Sequence, residues 1–243
     1  MLVYILVGLF CGFIDSALGM GFGVTSATIL ITYGVNPAIA SASVHAAEAV
    51  VDIVSAIVHH KLGNVDWKIC SRILIPGVVS AVIGALLLSS LSLNIAKPLV
   101  RIILIGMGGI VLYKHTFDYN ITGSLSERKA TILGFAAGLL DTMGGGGWGP
   151  IGTPSLILSG SDPKKAVGTI EFTEPFVSLA AVLTFGVTIG FENFMWNITI
   201  PMIIGGFILT PIAGYLTSRL PKRWLGILIG VWLIGLNVYG LLS

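Results

Sequence analysis

Charge is scarce in this sequence. Only 10% of the 243 residues are charged, 55% are apolar, and the mean hydropathy is +0.97. Those values exclude a soluble globular domain. Long polar stretches are also missing: the longest runs from about Lys114 to Lys129, which leaves no room for an extramembrane domain. Cysteine is limited to Cys11 and Cys70, both in or next to apolar runs, so they read as small buried hydrophobes and not as a disulfide or metal pair. The formal charge of +2 and the lack of a basic cluster interleaved with aromatics exclude a nucleic-acid partner. Neither HExxH nor GxSxG occurs, so the chain reads as a non-enzyme that needs no cofactor. The opening stretch "MLVYILVGLFCGFIDSALGM" has no basic start and no small-residue cleavage site, so it reads as mature structure.

What the sequence does have is glycine, and it repeats. Displacing the chain by 126 positions aligns "GLFCGFIDSALGMGFG" (Gly8 to Gly23) with "GFAAGLLDTMGGGGWG" (Gly134 to Gly149). Identical pairs are Gly8/Gly134, Gly12/Gly138, Asp15/Asp141, Gly19/Gly145, Gly21/Gly147 and Gly23/Gly149. The match continues through Leu30/Leu156, Gly34/Gly160, Pro37/Pro163, Ala40/Ala166 and Glu48/Glu174. Two equivalent halves follow: residues 1–117 and 129–243, joined by a loop at 118–128.

Each half opens with a glycine-interrupted apolar stretch (2–34 and 129–159). Three apolar runs follow it: 37–60, 69–91 and 96–113 in the first half, 165–188, 195–218 and 222–241 in the second. Runs of about 18–25 residues cross a hydrocarbon core about 30 Å thick. The interrupted stretches are too long for one pass and short for two. Basic residues choose between the options. If the stretches cross once, Lys and Arg divide evenly; if each is a hairpin, eleven of the thirteen gather on one face, the exceptions being Lys97 and Arg101. The positive-inside rule selects hairpins with both termini outside. The expected fold is therefore an all-α polytopic membrane protein of two inverted repeats, each a Gly-broken helical hairpin followed by three transmembrane helices. Whether the hairpins are re-entrant or fully spanning is left open by parity.

Backbone freed at a helix break must be buried in protein or line a cavity. Two inverted hairpins bring "ALGMGFG" and "MGGGGWG" toward each other at mid-membrane. Gly19, Gly21, Gly23 and Gly144, Gly145, Gly146, Gly147, with Trp148 and the hydroxyls of Thr25, Ser26, Thr153 and Ser155, are candidate substrate-binding residues. Freed N–H groups at a helix start suit an anion. The competing reading is that the glycines only permit close helix packing.

The run after the first hairpin places Ser41, His45, Glu48, Asp52, Ser55 and His59 on one helix face. The equivalent helix carries Glu171, Glu174 and Ser178. Ionisable groups at this depth should face the bundle interior or water. His45, Glu48, Asp52, Glu171 and Glu174 are candidates for a proton or polar pathway, the alternative being contacts that only fix packing. Asp15 and Asp141 either join that pathway or cap the breaks. His59, His60 and His115 read as interfacial, and "GNVDW" (Gly63 to Trp67) as a turn with an aromatic anchor.

The paired motifs "GFIDSALGMGFG...NPAIASASVHAAE" and "GLLDTMGGGGWGP...DPKKAVGTIEFTE" resemble the sulfite exporter TauE/SafE family of membrane permeases over essentially the whole chain. The resemblance implies export or uptake of small sulfur-containing anions such as sulfite or organosulfonates, driven by the proton gradient, in a prokaryotic inner membrane. It adds Thr169 to the polar pathway as the Thr that follows the second motif. The first repeat departs from the frequent pattern, with Thr28 where proline often stands; Pro154 is present in the second. Partners reduce to a small anion, the bilayer and, at most, a second copy in a homodimer. A cation carrier using the carboxylates and His45 is the alternative function, and an intramembrane enzyme a remote one.

Overall fold

The computed structural model describes residues 1–117, 125–216 and 222–242. Most of the loop expected at 118–128, together with Arg219, lies outside the described residues. The described chain is helical: α1 (Leu2–Leu18), α2 (Phe22–Thr32), α3 (Pro37–Lys61), α4 (Trp67–Ser90), α5 (Leu93–Thr116), α6 (Glu127–Gly144), α7 (Trp148–Leu158), α8 (Pro163–Phe185), α9 (Trp196–Leu216) and α10 (Lys222–Leu242). A π-helical turn, Gly186–Gly190, and a short 3-10 turn, Phe191–Asn193, extend α8. Among the described residues, five helices (α3, α4, α5, extended α8 and α9) are long and apolar enough to cross a membrane.

The boundaries have local causes. Asn36 caps α3 by accepting the Ala38 amide, with Pro37 at the first helical position; Asp162 and Pro163 do the same for α8. Asp66 caps α4 and Ser126 caps α6. The two interrupted stretches break where expected, after Leu18 and after Gly144, each at a glycine in the left-handed region: Gly19 at φ 67° and Gly145 at φ 76°.

Helix pairing has a regular plan. α1 packs on α9 and α6 on α4; α3 packs on α8 and α5 on α10; α3 also meets α9, and α8 meets α4. Exchanging α1–α5 for α6–α10 maps this set of pairs onto itself. Small residues bring the paired backbones together. Gly8 and Gly12 lie against Met202 and Gly206 of α9, while Gly134 and Gly138 lie against Ile73 and Gly77 of α4. Much of the repeated glycine pattern outside the breaks is therefore packing surface. Large apolar side chains such as Ile75, Val79, Phe207 and Ile208 point outward, as lipid contact requires.

Two sets of contacts fix the helix ends. Arg72, near the start of α4, pairs with Glu127 at the start of α6. Early in α8, Gly168 packs on Asn64, and Lys165 Nζ donates to the carbonyls of Gly63 (2.7 Å) and Val65 (3.2 Å). The α6–α7 pair thus leaves from and returns to the neighbourhood of the α3–α4 turn. At the start of α9, the Met195 amide and the Thr199 hydroxyl donate to Ser43 near the start of α3 (2.8 and 3.1 Å), and Gly8 of α1 meets Met202. The α1–α2 pair returns in the same manner there. With 11 residues each, α2 and α7 rise only about 16 Å, roughly half of a 30 Å core.

Candidate functional site

Each break is closed by its own aspartate. The Asp15 carbonyl accepts the Gly19 amide (2.6 Å), and its Oδ1 accepts the Phe22 amide at the start of α2 (3.1 Å). Asp141 does more in the second half: its carbonyl takes Gly145 (2.8 Å) and Gly146 (2.9 Å), and its Oδ1 takes Gly147 (2.6 Å) and Trp148 (3.0 Å). The carboxylates therefore cap the returning helices and oppose the positive ends of their dipoles.

The two breaks meet backbone to backbone. A Cβ at Gly23 would run into Gly146 Cα, Gly145 O and Glu48 Oε1, and one at Gly146 would run into Gly23 and the Val24 amide. Gly149 lies against Gly19 and Met20, and Thr153 Oγ1 donates to the Gly19 carbonyl at 2.7 Å. Close packing by glycine is thus directly visible at this junction. The first-turn amides of Gly23, Val24 and Gly149 carry no hydrogen bond among the described residues. The remaining break glycines face elsewhere: Gly21 toward Ile14, Gly144 and Gly147 toward Met107 of α5.

The predicted hydroxyls and aromatic separate. Ser26 is buried with its hydroxyl unpartnered, whereas Thr25 lines an apolar cavity of about 570 Å³ with Phe10, Cys11, Ile29, Leu228 and Trp232. Ser155 is half-buried on α7. Trp148 is buried, its ring against Gly77 and its indole N–H donating to Thr173 Oγ1 (3.1 Å) and the Ile170 carbonyl (3.3 Å). Thr169 accepts the Asp66 amide at 2.8 Å, so its hydroxyl fixes the α3–α4 turn.

The polar stripe of α3 faces inward, with Ser41, His45, Glu48, Asp52, Ser55 and His59 all buried. His45 Nδ1 lies 2.8 Å from the Ser41 carbonyl, which only accepts, so Nδ1 carries a proton. Its Nε2 lies 3.1 Å from Asp141 Oδ2 and 4.0 Å from Glu48 Oε2. A second proton must lie between His45 and Asp141, held as imidazolium with carboxylate or as imidazole with carboxylic acid. Ser41 also donates to the Thr142 carbonyl at 2.6 Å, tying α3 to the end of α6.

Farther along α3, Asp52 meets Asp15 and Glu171. One oxygen from each lies within 4.8 Å of the others, and all three residues are buried. The Ser55 hydroxyl bonds Glu171 Oε2 and sits 2.9 Å from the Ser16 hydroxyl. Glu174 is buried with Oε2 unpartnered; Pro175, which follows it, removes the amide that would bond the Glu171 carbonyl. His59, expected at the interface, is buried instead: Nε2 donates to the Ser16 carbonyl (3.1 Å) and Nδ1 accepts from Asn64 (3.1 Å). Its place on the α3 stripe was the available signal. His60 is exposed beside Trp67 and Phe172, and His115 is buried with Nδ1 on the Val111 carbonyl. Thr28 receives the Asn237 amide of α10 at 3.1 Å, a contact that sequence spacing could not supply.

Comparison with known proteins places this architecture. The profile described as Sulfite exporter TauE/SafE matches residues 4–240. The chain is 37% identical, over its full length and 83% of the relative, to the "Probable membrane transporter protein YtnM" of Bacillus subtilis (strain 168). It is 24% identical, over 98% of its length and 97% of the relative, to a "Probable membrane transporter protein" of Haemophilus influenzae. A third relative, a probable membrane transporter protein of Methanocaldococcus jannaschii, is 27% identical over 86% of this chain and 78% of its own. No solved structure matches the chain. The chain is an integral membrane protein of the sulfite exporter TauE/SafE family.

Proposed function

We propose that the chain is a secondary active transporter that exports a small sulfur-containing anion, such as sulfite or an organosulfonate, in exchange for protons. The anion class comes from the family description. The observation that carries the mechanism is the contact of the two glycine breaks beside a proton-sharing pair: Gly23 touches Gly146, Glu48 touches Gly23, and His45 stands 3.1 Å from Asp141. In this reading the closed junction is the substrate-free contact of two gates. When the halves rock apart, the unbonded amides of Gly23, Val24 and Gly149, with the Ser26 hydroxyl, replace the hydration of an entering anion. His45, Glu48, Asp141, Glu171 and Glu174 carry the coupling protons, because a proton gained or lost by the His45–Asp141 pair changes the net charge beside the break.

The two halves act as inverted repeats. The helix-end contacts support this: α6–α7 returns beside the α3–α4 turn, whereas α1–α2 returns beside the start of α9. The half-length of α2 and α7 supports re-entrant hairpins. The face bearing Lys61, Lys68, Arg72, Lys129, Lys164 and Lys165 is then cytoplasmic and both termini are outside, in a prokaryotic inner membrane.

Liposomes containing the purified chain should move sulfite under a pH gradient faster than sulfate or a divalent cation. Glu48→Gln combined with Glu174→Gln should abolish the proton-driven component. Intact proton-driven flux in that double variant would sink the coupling role. Cation flux with no anion effect would sink the substrate class.

A further inference from the structure

The two breaks are flanked by unlike partners at equivalent positions. The displacement of 126 residues that pairs Asp15 with Asp141 also pairs His45 with Glu171 and Asp52 with Ser178. In the second half Asp141 meets His45 at 3.1 Å, so its carboxylate has a cationic partner available within the protein. In the first half Asp15 meets Glu171 and Asp52 instead, three carboxyl groups whose nearest oxygens lie within 4.8 Å of one another. There is no imidazole, lysine or arginine in that group. A second observation is independent of the clustering. Asp52 is 1% exposed, and neither of its carboxylate oxygens has a hydrogen-bond partner. Asp15 Oδ2 and Glu171 Oε1 are also unpartnered. Four carboxylate oxygens are thus buried without a donor, at the place where the other half supplies a histidine.

We infer that Asp15, Asp52 and Glu171, supported by the Ser55 hydroxyl, form a binding site for a hard metal cation of sodium or calcium size. The donor set is entirely oxygen, which disfavours soft metals. Three oxygens this close can share an ion at bonds of about 2.3–2.6 Å, lengths that suit calcium and tolerate irregular geometry, whereas magnesium demands near-ideal octahedral ligation. The cation supplies the positive charge that a protonated His45 would supply beside Asp141 in the other half. It also fixes the α1–α2 break, because Asp15 caps α2 through Oδ1, leaves Oδ2 without a hydrogen-bond partner, and belongs to the carboxyl cluster. The site's part in coupling rests on the transporter reading; its binding of an ion does not.

The full-length protein, stripped with chelator in detergent and kept in choline chloride, would be titrated with sodium, calcium, magnesium or zinc while thermal unfolding is followed from pH 6 to 9. Sodium or calcium should raise the melting temperature by several degrees, less so at the acidic end where protons compete. Asp52→Asn should remove the response. Glu171→His combined with Asp52→Ser, which copies the second half's residues, should melt at the same temperature with and without the ion. The inference is overturned if wild type responds to no metal across this range, responds to zinc alone, or if Asp52→Asn responds like wild type. Because the readout is equilibrium binding, absent sulfite flux with an intact cation response would overturn the proposed substrate and leave this site standing.

Discussion

Asp141 holds His45 with one carboxylate oxygen and the start of α7 with the other. Oδ2 lies 3.1 Å from His45 Nε2, while Oδ1 takes the Gly147 and Trp148 amides at 2.6 and 3.0 Å. A change in the proton shared with His45 therefore acts on the group that caps the returning helix. Asp15 has the same double use, facing Phe22 of α2 and the Glu171–Asp52 pair. Each aspartate thus caps its break and, with the same side chain, faces the polar groups of the proposed pathway.

That dual role can be separated by substitution. Asp141→Asn keeps an oxygen for the two amides and presents an NH2 group to His45 Nε2, so folding should survive with a loss of about 1–2 kcal/mol. It leaves no mobile proton in the pair, and proton-driven flux should fall to background. Asp141→Ala removes the cap and leaves His45 unpaired, which should cost about 3–5 kcal/mol. Melting in detergent and flux in liposomes, measured on both variants, check this. Equal flux in wild type and Asp141→Asn would refute the proton role.

The glycines divide by what a methyl group would strike. Gly23→Ala and Gly146→Ala each drive a Cβ into the facing backbone, and neither helix start can yield without separating the gates. Both should unfold the junction or abolish flux. Gly106 and Gly109 on α5 have no atom within 4 Å of an added Cβ. Alanine at either should be neutral or stabilise by up to about 1 kcal/mol through helix propensity. Melting temperatures of the four variants provide the comparison.

Much of this arrangement was legible in the sequence because membrane helices are marked by length and hydropathy. The breaks fall at Gly19 and Gly145 because left-handed backbone leaves a glycine signature, and the starts of α3 and α8 show in Asn36-Pro37 and Asp162-Pro163. The helical period also predicted the inward stripe from Ser41 to His59. Long-range partners were not readable. Nothing in spacing says that His45 meets Asp141 while Asp52 meets Asp15, since those contacts depend on how α3 crosses the two breaks. Thr169 illustrates the same limit: its position after the second motif suggested the pathway, yet its hydroxyl receives the Asp66 amide. Gly8, Gly12, Gly134 and Gly138 showed in the sequence only as members of the repeat, and their contacts are helix packing.

Topology gives a prediction that needs no substrate. Lys165 reaches the carbonyls of Gly63 and Val65, and Arg72 pairs with Glu127, so these basic positions share a face. Cysteine at Lys61 or Lys165 should react with a membrane-impermeant maleimide only from the cytoplasmic side, and cysteine at Lys97 only from outside. The native thiols add little background, because Cys11 and Cys70 are both buried. Labelling of positions 61 and 165 from opposite sides would disprove the hairpin topology.

Among the described residues, Thr153 is the one side chain that hydrogen-bonds across the junction from α7 to the first break, its hydroxyl 2.7 Å from the Gly19 carbonyl. The equivalent position in the first half is Ala27, which meets Gly145 through its methyl group, so the two breaks are fastened unequally. Thr153→Val keeps the volume but leaves the Gly19 carbonyl buried without its donor, a change worth about 1–3 kcal/mol. Thr153→Ser retains the donor and should stay near wild type. If opening of the junction limits transport, Thr153→Val should lower the melting temperature and raise the rate of substrate exchange, with Thr153→Ser changing neither. A slower exchange in the valine variant would mean that the Thr153 hydroxyl serves the substrate and not the closed contact.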